Sequence, residues 1–225
     1  MTAKDMFSHR VSILTGHYGT GKTEVSVNLA LALAAEGEQV MLADLDIVNP
    51  YFRSRERRPL LEKAGVRVIS SSQACSDADV PALPAELLTI LENREIRGIL
   101  DIGGDPVGAR VLARFQPKIV QEDYQLIFVL NANRPEVRDA ESAAAYLRSI
   151  EAVTGLTCSG LVNNTHLCGE TTPAEIRKGA ALAQEVSRQT GIPILCHTAE
   201  RRFLESLSDL GEPVFPIAIN MKKPW

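Results

Sequence analysis

The feature of the sequence that most constrains the fold is a glycine-rich segment near its start, G-H-Y-G-T-G-K-T at residues 16–23. It follows the short apolar run Val11–Leu14 and precedes an unbroken helical pattern over residues 24–36, so it forms the turn of a strand–loop–helix unit. Glycines at this spacing let backbone N–H groups curl around a polyphosphate at the positive end of a helix dipole. The segment therefore predicts a phosphate-binding loop.

We expect this loop and the first turn of the helix to hold a nucleotide together with Mg²⁺. Lys22 is expected to reach the β- and γ-phosphates as a point charge, and the Thr23 hydroxyl to ligate the metal. The residues of this stretch predicted to bind the nucleotide are Gly16, Gly19, Thr20, Gly21, Lys22, Thr23 and Glu24.

Composition indicates an ordinary globular protein that stays in the cytoplasm. The chain has 225 residues, 45% of them hydrophobic, and a net charge of −4, which offers no electrostatic footprint for nucleic acid. No apolar run approaches the roughly 18 to 20 residues that a membrane span needs, and residues 1–10 do not resemble a signal peptide. We expect one domain over residues 1–225, with no nucleic-acid or membrane partner. The four cysteines lack a C-x-x-C pair, which favours reduced thiols; they are Cys75, Cys158, Cys168 and Cys196.

Short apolar runs alternate with amphipathic stretches along the whole chain. The runs that predict strands are Val11–Leu14, Gln39–Ala43, Val66–Ile69, Gly98–Ile102, Gln125–Leu130, Cys158–Val162 and Ile192–Cys196. The stretches that predict helices lie near residues 24–36, 54–64, 84–94, 106–115, 135–153, 172–190 and 200–208. Continuous apolar strands are typical of a parallel sheet that is covered on both faces. The pattern predicts a three-layer α/β/α, doubly wound fold with its ligand at the carboxyl ends of the strands.

Acidic residues follow two of these strands. Asp44 and Asp46 follow the second strand, where such a pair can hold the water shell of a metal or orient an attacking water; alternatively, one of them caps a helix after Pro50. Asp101 ends the fourth strand and is expected to bind Mg²⁺ through water. Gly104 follows it, where its N–H would meet the γ-phosphate, although a plain glycine-rich turn explains the same residues.

The phosphate loop, the D-x-D after the second strand, the D-x-G-G after a later strand and an Asn after a strand near the C-terminal third resemble the MinD/ParA/nitrogenase iron protein group of P-loop NTPases. The resemblance covers most of the chain as architecture, but its motifs occupy only about four short segments. It implies that Asp46 is the catalytic switch carboxylate beside Lys22 and Asp101, and that Thr23, Asp44 and Asp101 serve Mg²⁺. It also implies that Asn163 or Asn164 binds the base, bordered by the segment Thr198–Glu200.

ATP is the expected nucleotide, with GTP less favoured, because the chain lacks an N-K-x-D or T-K-x-D sequence in which a guanine-specific carboxylate could be placed. The chain departs from the group at one position. His17 stands where most members carry a second, signature lysine that reaches the ATP of a partner subunit, and a histidine has neither the length nor the fixed charge for that role. The sequence therefore allows a homodimer but does not support ATP hydrolysis that is activated by dimerisation.

Three function classes fit these features. The first is a slow ATPase that acts as a nucleotide-driven switch on a protein partner. The second is a small-molecule kinase or ATP-dependent ligase of the dethiobiotin or cobyrinate synthase type, with an anion pocket formed by Arg53, Arg55, Arg57 and Arg58. The third is a metal-centre maturation factor with metal at a dimer interface, dependent on Cys168 or Cys75. His166 and Cys168 form one closely spaced pair of possible metal ligands, but no second pair accompanies them, which favours a structural role over metal binding.

Overall fold

The fold is built around one parallel β-sheet. The computed structural model describes residues 1–46, 57–70 and 85–221. In chain order the strands are β1 Val11–Thr15, β2 Gln39–Leu45, β3 Arg67–Ser70, β4 Ile96–Ile102, β5 Tyr124–Leu130, β6 Cys158–Asn163, β7 Ile194–Glu200 and β8 Val214–Ile217. Their spatial order is β3-β2-β4-β1-β5-β6-β7-β8, and every neighbouring pair is parallel. The predicted doubly wound α/β architecture is confirmed.

Helices connect the strands and cover both faces of the sheet. They are α1 Ala3–Met6, α2 Lys22–Ala35, α3 Arg58–Lys63, α4 Ala85–Glu92, α5 Pro106–Ala109, α6 Gln116–Ile119, α7 Ala140–Thr154 and α8 Pro173–Thr190. Short 3-10 turns cover Arg110–Arg114, Pro135–Val137, Cys168–Glu170, Arg201–Phe203 and Glu205–Leu207. Within the described parts of the chain, no helix is both long enough and apolar enough to span a bilayer.

The structure differs from the predicted elements at three places. All seven predicted strands are present, but β8 was not predicted, because its four residues include Pro216 and form a short edge strand. The predicted helix over residues 106–115 is a one-turn helix followed by a 3-10 turn, and Gly108 within the first turn lowers its helix propensity. The predicted helix over residues 200–208 consists of two 3-10 turns. Residues 54–56 and 84 lie outside the described residues.

Two hydrophobic clusters lie on opposite faces of the sheet. One joins the strands to α4, α7 and α8, and includes Ile13. The other joins them to α1, α2 and α3, and includes Leu14, the next residue along β1. Successive side chains of a strand point to opposite faces, so both faces need apolar residues. This explains why the strands read as continuous apolar runs.

Helix α2 binds two segments that are distant in sequence. The Glu36 carboxylate accepts hydrogen bonds from the N–H groups of Ala3 and Lys4, at 2.7 and 3.0 Å. At the other end of the helix, the Glu24 carboxylate accepts hydrogen bonds from the N–H groups of Asn220 and Met221, at 2.8 and 3.0 Å.

Asn28 lies one turn after Glu24 and bonds the same C-terminal segment. Its side-chain amide donates to the carbonyl oxygen of Ala218 at 2.9 Å and accepts from the Ala218 N–H at 2.8 Å. We call residues 218–221 the C-terminal strap. The helix that follows the glycine-rich loop is thus attached to the strap through two polar side chains.

Candidate nucleotide-binding site

The glycine-rich loop adopts a backbone conformation that its glycines make possible. Gly16, Gly19 and Gly21 have φ values of 139°, 73° and 83°, which side-chain-bearing residues rarely adopt. A Cβ atom on Gly16 would lie 2.4 Å from the carbonyl oxygen of Val129, and one on Gly21 would lie 2.2 Å from Nδ2 of Asn164. The loop therefore packs too closely against the ends of β5 and β6 for any other residue at these two positions.

Side chains that follow β5 and β6 hold the loop in place. Arg134 Nε donates to the carbonyl oxygen of Gly19 at 2.7 Å, and Asn131 Nδ2 donates to the same oxygen at 3.3 Å. Asn164 Nδ2 donates to the carbonyl oxygen of Thr20 at 2.7 Å. These bonds fix the orientation of two peptide units whose N–H groups a bound phosphate would contact.

Three charged side chains meet below the loop. Lys22, the first residue of α2, is 6% exposed, and its Nζ lies 3.4 Å from the carbonyl oxygen of His17. Asp44 and Asp101 are directly paired residues at the ends of β2 and β4. Both oxygens of Asp101 are buried without a hydrogen-bond partner among the described residues. Unpaired buried carboxylate oxygens are costly, and a bound cation would satisfy them.

Burial and neighbouring charges change the acidity of this cluster. Burial, together with the Asp44 carboxylate, raises the pKa of Asp101 to about 7, although Lys22 and the Thr23 hydroxyl oppose this rise. Burial also lowers the pKa of Lys22, although the nearby carboxylates oppose this effect. Lys22 and Asp101 are therefore both poorly stabilised in their charged forms. A phosphate beside Lys22 and a cation beside Asp101 would each relieve this.

The oxygen atoms of this cluster fit Mg²⁺. Thr23, Asp44 and Asp101 offer one hydroxyl and two carboxylates, the hard oxygen ligands that Mg²⁺ prefers, and the Asp101 oxygens are still unpaired. Asp46 lies beside this group, and its N–H donates to Oδ1 of Asp44 at 3.3 Å. This bond keeps the two acidic residues of the D-x-D segment close together at the end of β2.

The turn after β4 touches the loop directly. A Cβ atom on Gly104 would lie 2.8 Å from Lys22 Nζ and 3.0 Å from the Tyr18 backbone nitrogen. The Tyr18 hydroxyl donates a hydrogen bond to Asp105, and the Tyr146 hydroxyl of α7 donates one to the carbonyl oxygen of Gly104. The glycine turn is thus held between the phosphate loop and α7.

A small cleft borders the loop on the side of β6, β7 and β8. It is lined by the residues Asn164, Thr165, His166, Thr171, Ile176, Thr198, Ala199, Glu200, Ile217 and Ile219. The predicted border segment Thr198–Glu200 lies here. The sequence pattern did not predict His166 at this place, and only its position two residues after Asn164 could have indicated it.

Known proteins and one family model match parts of this chain in sequence. A family model described as ParA, NUBPL iron-transfer P-loop NTPase, matches residues 6–54. The cytosolic Fe-S cluster assembly factor cfd1 of Emericella nidulans is 36% identical over 95 residues, which are 42% of this chain and 26% of that protein. The iron-sulfur cluster carrier protein of Escherichia coli K12 is 50% identical over 40 residues, which are 18% of this chain and 11% of that protein. The predicted resemblance to the MinD/ParA group of P-loop NTPases is confirmed.

Solved structures support the P-loop NTPase fold. The signal recognition particle 54 kDa protein of Aeropyrum pernix K1, in complex with GDP, superimposes with a TM-score of 0.54 at 25% identity, over 82% of this chain and 40% of that one. The cell division protein FtsY of Thermotoga maritima gives a TM-score of 0.55 at 22% identity, over 82% of this chain and 59% of that one. The second likeness concerns the fold alone.

Two residues predicted to contact the nucleotide use their side chains elsewhere. Asn163 is buried and donates to the carbonyl oxygen of Ile176 at 3.0 Å, while its Oδ1 accepts from the Thr165 N–H at 3.1 Å. The Glu24 carboxylate binds the C-terminal strap. Asn164 does reach the loop, but its Nδ2 is bonded to Thr20 and its Oδ1 accepts from the Thr198 hydroxyl at 2.5 Å. Nucleotide contacts by these residues stay predictions.

His17, at the place of the signature lysine, packs within its own chain. Its ring lies edge-on to the Tyr146 ring at a centroid distance of 5.0 Å, and its Nδ1 lies 3.7 Å from a carboxylate oxygen of Glu136. The predicted arginine block is described only in part. Arg58 lies 3.5 Å from Glu62 on the same helix, and residues 53 and 55, like Cys75, lie outside the described residues.

Proposed function

We propose that this protein binds ATP with Mg²⁺, hydrolyses it slowly and acts as a nucleotide-driven switch on a protein partner in the cytoplasm. The observation that supports this best is the burial of Lys22 and Asp101 in one cluster under a glycine loop, where both Asp101 oxygens lack a hydrogen-bond partner among the described residues. A lysine and an unpaired carboxylate are complementary to a phosphate and its metal.

Each residue of the cluster receives a role in this proposal. Lys22 and the loop N–H groups hold the β- and γ-phosphates. Thr23, Asp44 and Asp101 hold Mg²⁺, which when bound neutralises charge that develops on the phosphate oxygens. Asp46 orients the attacking water. Gly104 lies against Lys22, and its carbonyl oxygen accepts a hydrogen bond from the Tyr146 hydroxyl of α7. A movement of this turn on loss of the γ-phosphate would therefore be transmitted to α7 through that bond.

ATP is proposed over GTP because the sequence lacks an N-K-x-D or T-K-x-D motif. GTP is the alternative, because the signal recognition particle protein of similar fold was solved in complex with GDP. Binding isotherms with both nucleotides decide this point. Tighter binding of GTP than of ATP would contradict the proposal.

A role in metal-centre maturation is the second candidate, and the names of the relatives favour it. The matched segment 6–54 contains the phosphate loop but no cysteine. Among the described cysteines, Cys158 and Cys196 are buried, and burial raises the pKa of both thiols. Cys168 is exposed, and its Sγ lies 3.9 Å from Nδ1 of His166. Within residues 1–46, 57–70 and 85–221, no group of three or more His, Cys, Asp or Glu side chains is arranged to hold a metal.

In this second candidate, iron or a cluster is cargo held between two copies of the chain, with Cys168 as a ligand. Reconstitution with iron and sulfide should then give a chromophore that Cys168→Ser abolishes, together with a doubling of mass by light scattering. Equal iron and sulfide content in Cys168→Ser would contradict the assignment of Cys168 as a ligand and would have no bearing on the nucleotide site.

Two substitutions test the nucleotide site. Lys22→Ala should abolish ATP binding by calorimetry, because the phosphates lose their only buried cation in the described cluster. Asp46→Ala should keep ATP affinity within about threefold but slow phosphate release at least tenfold, since water orientation is lost while the phosphate cradle stays. The exposed Lys63→Ala serves as a control and should change neither quantity.

The result that contradicts the proposal is unaltered ATP affinity in Lys22→Ala. An unaltered rate of hydrolysis in Asp46→Ala would instead mean that another group orients the water. The switch itself is tested by mass and partner binding with ATP and with ADP, and identical behaviour with both nucleotides would argue against it.

A further inference from the structure

The cleft beside the phosphate loop contains one hydrogen-bond donor that the protein itself does not use. Nε2 of His166 is buried and has no partner among the described residues. This nitrogen would lie 3.2 Å from a Cβ atom built on Gly21, which places it at the edge of the phosphate loop. His166 therefore lies between the cleft and the loop.

The backbone on either side fixes the position of the His166 ring. The His166 carbonyl oxygen accepts from the side-chain amides of Asn131 and Asn133, each at 3.5 Å, and its N–H donates to Asn131 Oδ1 at 3.4 Å. Nδ1 of the ring accepts a hydrogen bond from the Cys168 N–H at 3.3 Å. A neutral imidazole that accepts at Nδ1 carries its proton on Nε2.

Because Nδ1 of His166 accepts from the Cys168 N–H, the ring presents a single N–H donor, at Nε2, in a fixed direction. Such a group recognises an acceptor atom and rejects a donor.

The neighbouring amides are already used by the protein. Asn163 is bonded to Ile176, His197 and Thr165, and Asn164 is bonded to Thr20 and Thr198. The rest of the cleft includes three isoleucines, at positions 176, 217 and 219, and Ala199. Apolar side chains suit the flat face of a nucleobase rather than a sugar.

We propose that His166 is a specificity-determining residue that donates a hydrogen bond from Nε2 to an acceptor nitrogen or oxygen of the nucleobase, whose ring face lies against Ile217 and Ile219. This inference rests on the proposed nucleotide binding and moves base recognition from the asparagines to the residue two positions beyond them.

A matched pair of variants isolates the donor. His166→Asn places an amide oxygen near the position of Nδ1, so the bond from Cys168 is kept while the donor is lost. His166→Gln places an amide N–H near the position of Nε2 and restores the donor. Affinities are measured by calorimetry with Mg²⁺ for ATP, for 2′-deoxyATP and for inorganic tripolyphosphate, which has no base.

The dissociation constant of His166→Asn for ATP should rise about threefold to tenfold, as expected for one lost hydrogen bond. The same increase is expected with 2′-deoxyATP, no change with tripolyphosphate, and recovery to within twofold in His166→Gln. Unchanged ATP affinity in His166→Asn would overturn the inference. An equal loss with tripolyphosphate would also overturn it, because the histidine would then shape the loop.

Two further outcomes are decisive. If the penalty vanishes with 2′-deoxyATP, the acceptor is a ribose hydroxyl and the assignment to the base is wrong. If the unmodified protein binds neither nucleotide nor tripolyphosphate, the proposed function fails and the inference fails with it. Normal ATP binding by the unmodified protein, with no effect of His166→Asn, rejects the inference alone.

Discussion

The carboxyl group of Asp101 lies buried beside Asp44, and this makes the stability of the metal-free protein depend on pH. The pKa of Asp101 rises from 3.8 to about 7 on folding, mainly through burial. Between these two pH values the folded protein retains a proton that the unfolded chain releases. The contribution of Asp101 to stability is therefore fully present below about pH 4 and is lost as the pH rises through about 7.

Asp101→Asn should remove this dependence. The amide has nearly the shape of the protonated acid and cannot ionise, so the variant should gain about 2 to 4 kcal/mol over the unmodified protein at pH 8 and little at pH 4. Urea unfolding in EDTA at both pH values measures the difference. The exposed Glu141→Gln is the control and should follow the unmodified protein. Parallel pH profiles for Asp101→Asn and the unmodified protein would show that Asp101 is ionised without cost.

At the residue scale, sequence spacing predicts which polar groups come together but not which hydrogen bonds they form. Asp44 and Asp101 end two strands that are neighbours in a parallel sheet, so their proximity follows from the pattern. The carboxylate of Glu24 binds residues more than 190 positions away. No local signal indicates such a partner. For the same reason, the contact of His17 with Tyr146 could not be predicted.

Helix α2 joins the phosphate loop to the C-terminal strap through Glu24 and Asn28. Asn28 is 7% exposed and forms a two-way amide contact with Ala218, like one rung of a sheet. The strap includes Ile219, which lines the cleft. The C-terminal strap therefore connects helix α2 to the lining of the cleft.

Asn28→Ala should release the strap. The loss of two hydrogen bonds to Ala218, which leaves backbone groups to water, should lower the free energy of unfolding by about 1 to 3 kcal/mol. Amide hydrogen exchange in residues 218–221 should become faster, and mass spectrometry detects this. Asn220→Ala is the matched control, because its side chain bonds only Ala218 within the strap. Unchanged exchange in Asn28→Ala would mean that Glu24 alone holds the segment.

At the element scale, the sequence predicts strands better than short helices. The strands of this sheet are buried on both faces, which gives them an unbroken apolar signal. Strand β8 is short, contains Pro216 and lies at the edge, so this signal is weak. The turns over residues 201–207 bury Leu207 alone among their residues, too little to define a helical stripe.

At the scale of the whole molecule, the loop lies over the centre of the sheet. Strand β1 is the fourth of eight, and the loop that follows it contacts residues after β4, β5 and β6. The alternation of elements predicts a doubly wound sheet, whereas the order of its strands depends on long-range packing that no local pattern reports. A ligand bound at this loop touches both halves of the sheet.

We therefore expect one unfolding transition that moves as a unit with ligand. Mg²⁺ and ATP at about 100 times the dissociation constant should stabilise the protein by about 2.7 kcal/mol and raise the melting temperature in calorimetry. Lys22→Ala should show no increase. Two transitions, of which only one responds to the nucleotide, would indicate that the sheet unfolds in separate parts.

The contacts that support the glycine loop have a consequence for synthesis on the ribosome. The loop is complete in sequence after residue 23, yet its shape depends on Val129, Arg134 and Asn164, and its helix is fastened by the segment 218–221. A chain emerges from its N-terminus and folds as its partners become available. The nascent protein therefore exposes its glycine loop long before the residues that shape the loop are made, and under the proposed function a nucleotide cannot assist folding until the segment 218–221 has been translated.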